Sequence, residues 1–169
     1  MHVHDNHFHC QPQGWKGMDA IRMFQQAGGS SIAHVRLPAY SPDPAAFQAS
    51  VDAHIGFGKT IVEETGLRLA SAIGPYPLEP MQIAKTQGWE AAELYARACL
   101  DACRPYFQDQ QAHCLGEVGR PHFEVDEEAW AASNRILEYA FVVAKEEGVP
   151  IMLHTEHTEP EQMLEFAQM

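Results

Sequence analysis

At 169 residues the chain is long enough for one domain with a buried core, and its 46% hydrophobic and 20% charged residues are typical of a globular protein. It contains no run near the roughly 18 apolar residues of a membrane span and no signal-peptide pattern, so we expect a cytoplasmic protein without membrane attachment. The formal net charge of −12 disfavours binding to long nucleic acid, which depends on many Lys and Arg contacts to phosphate.

The first predicted element is a short strand that ends in the sequence His-Phe-His at positions 7–9. Because side chains alternate between the two faces of a strand, His7 and His9 share a face, and two such imidazoles form half of a transition-metal site. His2 and His4 repeat this spacing, but only one of the two pairs can lie at the strand end. His2 has a single residue before it, whereas turn-forming residues follow His9. We therefore place His7 and His9 at the strand end.

The chain beyond this strand alternates between helical and strand patterns. Apolar periodicity and capping residues predict helices over residues 17–27, from 41 or 43 to about 65, about 89–104, 126–148, and from 159 onward. Short apolar runs bounded by Gly or Pro predict strands over residues 31–37, 67–73, 112–118 and 149–154. Five strand–helix units in this order predict a parallel sheet with right-handed crossovers.

Two architectures fit five such units. A closed (β/α)8 TIM barrel has eight units and about 250 residues, so the chain would be a partial barrel with about five units. The alternative is an open, doubly wound sheet, which 169 residues can complete. The positions of polar residues at the strand ends distinguish the two.

Residues of the kinds that bind metals recur at the predicted carboxyl ends of three strands. Glu117 ends the fourth strand and His154 ends the fifth, in addition to His7 and His9 on the first. Side chains from strands so far apart in sequence meet at one point if the strands curve around a common axis, and the chemistry of a barrel lies at that end. We therefore predict an α/β fold of the (β/α)8 TIM-barrel type, present as a partial barrel.

The segments DNHFHCQPQGWKGMDAIRMFQQAGG, GEVGRPHFEV and IMLHTEH resemble the TatD-related metal-dependent hydrolases of the amidohydrolase superfamily, in particular an archaeal-type branch. The resemblance runs along essentially the whole chain. It implies that His7 and His9 bind a first metal ion, that Glu117 bridges two ions, and that His154 binds the second.

The resemblance also implies two site residues from a sixth and an eighth strand, a histidine and a catalytic aspartate, which have no counterpart here. His157 is close to His154 in sequence, but it lies in the following loop and is a poor substitute. We therefore expect residues 1–169 to be a single hydrolase domain that is incomplete at its C-terminus and nearly inactive alone.

Three further residues are candidates for substrate binding. Arg120, in the loop after the fourth strand, is placed to clamp a phosphate or carboxylate, and its alternative role is a structural ion pair. His122 in the same loop and Arg36 near the end of the second strand are candidates for substrate contact or for supporting the metal ligands.

The resemblance implies a hydrolase with one or two divalent ions, in which metal-activated hydroxide attacks a phosphoester, such as a nucleic acid end, or a carbonyl centre. Zinc fits the histidine ligands, while magnesium or manganese fits the carboxylate and phosphate chemistry. The alternative is a non-catalytic metal-binding half-barrel or assembly module that lacks the catalytic aspartate. The unpaired edges of a partial barrel also leave room for an oligomer.

Overall fold

The computed structural model describes residues 2–12, 17–156 and 164 of the chain. Within these residues, strands and helices alternate as the sequence pattern predicts, except that two helices follow the third strand. The strands are β1 (Val3–Phe8), β2 (Gly29–Val35), β3 (Arg68–Ile73), β4 (Cys114–Gly119) and β5 (Ile151–His154). The helices are α1 (Met18–Gln26), α2 (Pro44–Thr65), α3 (Leu78–Gln87), α4 (Trp89–Gln108) and α5 (Glu127–Glu147).

Capping residues set the bounds of the two longest helices. The Asp126 carboxylate accepts a hydrogen bond of 2.7 Å from the Ala129 amide, which satisfies a free donor in the first turn of α5. That helix ends at Gly148 in the left-handed conformation with φ 67°. Asp43 and Gly66 begin and end α2 in the same way. These four residues explain why the predicted bounds of both helices lie close to the observed ones.

Two helical features differ from the prediction. Helix α3 was not predicted; Pro80 lies in its first turn, where a missing amide is tolerated, and its buried residues include the charged Glu79. Helix α4 continues through Pro105 to Gln108, whereas we predicted an end near residue 104. The helix predicted from residue 159 lies outside the described residues, apart from the helical Leu164.

The five strands form one parallel sheet in the order β1-β2-β3-β4-β5, so each strand pairs with the next one along the chain. A doubly wound sheet reverses its strand order at a switch point, and this sheet does not. Right-handed crossovers in an unreversed order bring every helix to the same face of the sheet. The sheet curls into half of a barrel, which confirms the partial TIM-barrel prediction over the doubly wound alternative.

The hydrophobic core lies between the sheet and the helices. Ile73 and Leu115 of the sheet belong to a large buried cluster with residues of α2, α4 and α5, and Ile32 belongs to a smaller one with α1 and α2. None of the described helices combines the length and apolar character needed to cross a membrane. The core therefore fixes the strands from one side and leaves their other face available for a site.

Candidate metal centre

His7, His9 and Glu117 come together at the carboxyl ends of β1 and β4. The Nε2 atoms of His7 and His9 are 3.0 Å apart, and each lies 3.5 Å from Oε2 of Glu117. Among the described residues, these three form the group of His, Cys, Asp and Glu side chains whose ligand atoms all lie within 4.8 Å of one another. The geometry is that of side chains directed at a common point.

The curl of the sheet makes this approach possible. Strands β2 and β3 lie between β1 and β4, so a flat sheet would separate those two strands by three spacings, roughly 14 Å. The 3.5 Å between His7 and Glu117 is therefore a direct consequence of curvature. The same curvature brings the carboxyl end of β5 to the group.

A backbone hydrogen bond orients His9. Its Nδ1 atom lies 3.1 Å from the carbonyl oxygen of Val35, at the end of the neighbouring β2. Because a carbonyl oxygen can only accept, Nδ1 carries the hydrogen and a neutral His9 presents the lone pair of Nε2 to His7 and Glu117. Metal-binding histidines are commonly oriented in this way through the other ring nitrogen.

His154, the last residue of β5, lies beside Glu117. Its Nδ1 atom is 2.9 Å from Oε1 of Glu117, the carboxylate oxygen that does not face His7 and His9. The close pairing of β4 and β5 brings His154 to this position. Gly119 permits the pairing, because it has φ 143° and a Cβ at this position would lie 2.2 Å from the His154 carbonyl oxygen. A glycine is therefore required at position 119 for His154 to reach Glu117.

The Glu117 carboxyl is suited to the ionised state although it is buried. Burial by itself raises its pKa. The hydrogen bond from His154 and the nearby imidazoles of His7 and His9 lower the pKa by more than burial raises it, so the net shift is downward. Glu117 is therefore a carboxylate at neutral pH, which is the form that binds cations.

A cavity of about 440 Å³ opens over this group. Besides the four candidate ligands, residues from the ends of β2 and β3 line it, among them Tyr40 and Tyr76. The Tyr76 hydroxyl lies 3.3 Å from Nε2 of His154. Sequence reasoning missed Tyr76, although its position just after Gly74-Pro75 at a strand end was the signal already used for the metal ligands.

Comparison with known proteins places the chain in a family. The family model described as TatD related DNase matches residues 4–169. The chain belongs to this TatD-related family. The uncharacterised protein MJ1127 of the archaeon Methanocaldococcus jannaschii is 30% identical over 169 residues, which cover 99% of this chain and 59% of that protein. The TatD-family chain thus spans less than two thirds of the length of this relative.

His122 joins the group from the loop after β4 of this TatD-family chain. Its Nδ1 atom lies 3.1 Å from Nε2 of His154, on the side of the ring opposite Glu117. The two imidazole rings meet edge to face, with an interplanar angle of 76°. The structure therefore brings His122 to His154, and through it to Glu117.

Arg36 lies on the other side of the sheet and is separated from the other candidate residues. Its guanidinium is buried and forms an ion pair of 2.5 Å with Glu79 of α3. It also donates hydrogen bonds to the Gly74 and Leu37 carbonyl oxygens and to Ser50 Oγ. Residue 36 is an even number of positions from His34, whose side chain faces helix α2, so the Arg36 side chain points to the same helix side. Its partners there leave the predicted substrate contact without support from the geometry.

The second predicted role of Arg36, support for the site, fits better. Glu79 accepts hydrogen bonds from the backbone amides of Tyr76 and Ala39 as well as from Arg36. The Arg36–Glu79 pair therefore ties together the loops after β2 and β3, which carry the two tyrosines of the cavity.

Arg120 lies against α5. Its guanidinium donates to Asn134 and Glu156 and lies 4.5 Å from the centre of the Trp130 ring. This geometry matches the structural ion pair that the sequence left open as the alternative to substrate binding. His157, considered as a substitute ligand, lies outside the described residues.

The duplicate histidine pair lies away from the group. His4 is near the start of β1 and contacts the Ser31 hydroxyl at 3.0 Å, at the amino end of the neighbouring strand. His2 precedes the strand and is exposed. Both are therefore at the end of the sheet opposite to Glu117.

The donor set fits a divalent cation. His7 and His9 direct ring nitrogens at each other and at one oxygen of an ionised carboxylate, while His154 faces the other oxygen. Such convergence of lone pairs is favourable around a cation, and imidazole with carboxylate is a common ligand set for divalent transition metals.

Proposed function

We propose that this chain forms the metal-binding part of a hydrolase domain that uses one or two divalent ions to cleave phosphoester bonds. The observation that carries the proposal is the position of Glu117 between the His7–His9 pair on one side and His154 on the other. One carboxylate oxygen lies 3.5 Å from His7 and His9, and the other lies 2.9 Å from His154. Membership of the TatD-related family supports the hydrolase class.

Each ligand has a separate task in this proposal. His7 and His9 would hold a first ion through their ring nitrogens, Glu117 would serve as the shared carboxylate, and His154 would hold a second ion. Zinc suits the imidazoles best, and magnesium or manganese remains compatible with the carboxylate. When bound, a divalent ion would supply polarisation of a phosphoryl or carbonyl oxygen and activation of water near neutral pH.

The surrounding residues act on the substrate and on the ligands. Tyr40 and Tyr76 line the cavity, and tyrosine hydroxyl groups can donate hydrogen bonds to substrate oxygens. The backbone of Val35 keeps His9 in the tautomer that leaves Nε2 free. Glu117 stays ionised because its imidazole neighbours outweigh the effect of its burial on its pKa.

The charge around the cavity narrows the substrate class. Neither Lys nor Arg is among the described residues that line it, so within this part of the chain bound cations would neutralise the charge of a phosphoester. With a net charge of −12, the chain is better suited to a small phosphoester or a nucleic acid end than to a long duplex. A carbonyl substrate is the second candidate because the same ligands can polarise it.

The test is metal content and hydrolysis of bis-p-nitrophenyl phosphate by the full-length protein. We expect the His7→Ala, His9→Ala double variant to lose bound metal and turnover. The matched control is His2→Ala, His4→Ala, which removes two histidines with the same spacing from the same region of the chain and should keep both properties. Equal loss in the two double variants, or unchanged metal content in the first, would contradict the proposal.

Metal binding without turnover by the full-length protein would favour the alternative function, a non-catalytic metal-binding half-barrel. The cytoplasmic location and an oligomeric state stay predictions. Size-exclusion chromatography with light scattering, with and without metal, tests the oligomeric state.

A further inference from the structure

The two ring nitrogens of His154 have different surroundings. Nδ1 faces Glu117 Oε1 at 2.9 Å. Nε2 faces the loops after β4 and β3, where His122 Nδ1 lies at 3.1 Å and the Tyr76 hydroxyl at 3.3 Å. The ring is therefore contacted on both sides, by three groups that lie on two segments of the chain.

Metal binding at Nδ1 is favoured by a hydrogen-bond acceptor on the opposite side of the ring. With a cation at Nδ1, a neutral His154 carries its hydrogen at Nε2, and a metal-binding histidine commonly donates this hydrogen to a neighbouring acceptor. The nearest acceptor among the described residues is Nδ1 of His122, and the Tyr76 hydroxyl is slightly farther away. An imidazole can accept here when its own hydrogen is on Nε2.

We infer that His122 is a positioning residue that accepts a hydrogen bond from Nε2 of His154 and holds Nδ1 of His154 toward Glu117. This inference rests on the proposed metal-dependent function and deepens it. His122 would then orient His154 in the same way that the Val35 carbonyl oxygen, also a hydrogen-bond acceptor, orients His9. The segment that supplies the carboxylate ligand thus also supplies, five residues later, the residue that orients its neighbour.

Direct ligation by His122 is less consistent with the geometry. His154 reaches Glu117 itself, whereas His122 contacts the far nitrogen of His154. Within the described part of the chain, no set of one ligand atom each from Glu117, His122 and His154 falls within 4.8 Å. The histidine placed to bind an ion beside Glu117 is therefore His154, and His122 acts on the orientation of the His154 ring.

The test compares His122→Phe with His122→Asn in the full-length protein. Phe keeps a flat ring but cannot accept a hydrogen bond, whereas the amide oxygen of Asn can replace Nδ1 as acceptor. Zinc affinity and stoichiometry are measured by competition with a chelator. We expect Phe to weaken zinc binding by about 10–100-fold, the usual range for such supporting residues, and Asn to restore much of the loss. Glu124→Gln, an exposed change on the same loop, is the control and should bind zinc like the wild type.

A second readout reports the tautomer directly. In the zinc-loaded protein, nitrogen-15 NMR of the imidazoles should show the hydrogen of His154 on Nε2, and the Nε2 resonance should shift in His122→Phe. Unchanged zinc affinity in His122→Phe would overturn the inference and leave the proposed function intact. Loss of one whole equivalent of zinc in both variants would overturn it in favour of direct ligation. A wild-type protein that binds no zinc, magnesium or manganese would overturn both proposals.

Discussion

Two clusters of polar side chains lie near the carboxyl edge of the same sheet, on its opposite faces. The cluster on the helix side is buried, and its members are His34, His54, Arg36 and Glu79. The cluster on the inner side borders the open cavity, and its members are His7, His9, Glu117 and His154. Both clusters take residues from strand ends, so their position along the chain does not distinguish them.

Their pairing does distinguish them. On the helix side, the Arg36 cation meets the Glu79 carboxylate, which also accepts two backbone amides, so the charges are balanced within the protein. On the inner side, the nitrogens of His7 and His9 face each other and a carboxylate. The first arrangement stabilises the fold, and the second is suited to binding a metal cation taken up from solution. Strand-end polar residues are therefore better judged by their partners than by their positions.

The largest expected effect on stability is that of Glu79→Gln. This change leaves the Arg36 guanidinium buried without its counter-charge, and we expect it to lower the free energy of unfolding by about 3–5 kcal/mol. Urea denaturation measures the change. The helix-side cluster would be misjudged as structural if the variant unfolded like the wild type.

The control for this prediction is Glu93→Gln. Glu93 also forms an ion pair of 2.5 Å with an arginine, Arg135, but this pair lies at the surface. We expect a much smaller change in the free energy of unfolding than for Glu79→Gln, because exposed ion pairs contribute little to stability. Equal effects of the two substitutions would contradict the contrast between buried and exposed pairs.

The next effect is a loss of stability in acid that comes from the stacked rings of His34 and His54, whose centres are 3.8 Å apart. Burial lowers the pKa of His34 to about 4 and that of His54 to about 2. The unfolded chain, with an ordinary histidine pKa near 6.5, therefore binds protons first as the pH falls. Stability is unaffected above pH 6.5 and decreases from there toward pH 4, by about 3 kcal/mol for His34 alone.

Urea midpoints measured between pH 7.5 and pH 5 check this prediction. His54→Phe keeps an aromatic ring against His34 but removes one of the titrating groups, so its midpoint should depend less on pH than that of the wild type. An equally steep pH dependence in the variant would show that the acid sensitivity arises elsewhere in the chain.

The smallest effect concerns the inner cluster. Tyr76→Phe removes one hydrogen bond of 3.3 Å to His154 and leaves the contact from His122 in place. The loss of one neutral hydrogen bond corresponds to about 0.5–1.5 kcal/mol, so we expect zinc affinity to fall by roughly 2–12-fold. A loss as large as that of a ligand substitution would mean that Tyr76 contacts the ion itself.

Much of the fold follows from local sequence rules. Asp126 and Gly148 bound a helix through capping that is visible in the sequence, and the order of strand and helix patterns predicts the parallel sheet. Helix α3 was missed because it has little amphipathic pattern and buries Glu79, whose partner is 43 residues away. For that partner, Arg36, the sequence left substrate contact and support of the metal ligands both open, because the face to which its side chain points depends on where β2 begins and ends.

The candidate site was predictable to a similar degree. The strand-end rule selected His7, His9, Glu117 and His154, and the structure brings all four together. The role of His122 required the loop geometry, since nothing in GRPHF shows that its imidazole meets the far nitrogen of His154. Tyr76 also follows a strand end, but the strand-end rule was applied to residue types that commonly bind metals, and tyrosine is not one of them.

The central claim is that His7, His9 and Glu117 enclose a metal ion. Anomalous diffraction from crystals of the full-length protein grown with zinc tests it most directly. We predict an anomalous peak about 2.0–2.2 Å from Nε2 of both histidines and from a carboxylate oxygen of Glu117. The account would be contradicted by a zinc peak elsewhere while these three side chains contact one another and no metal ion.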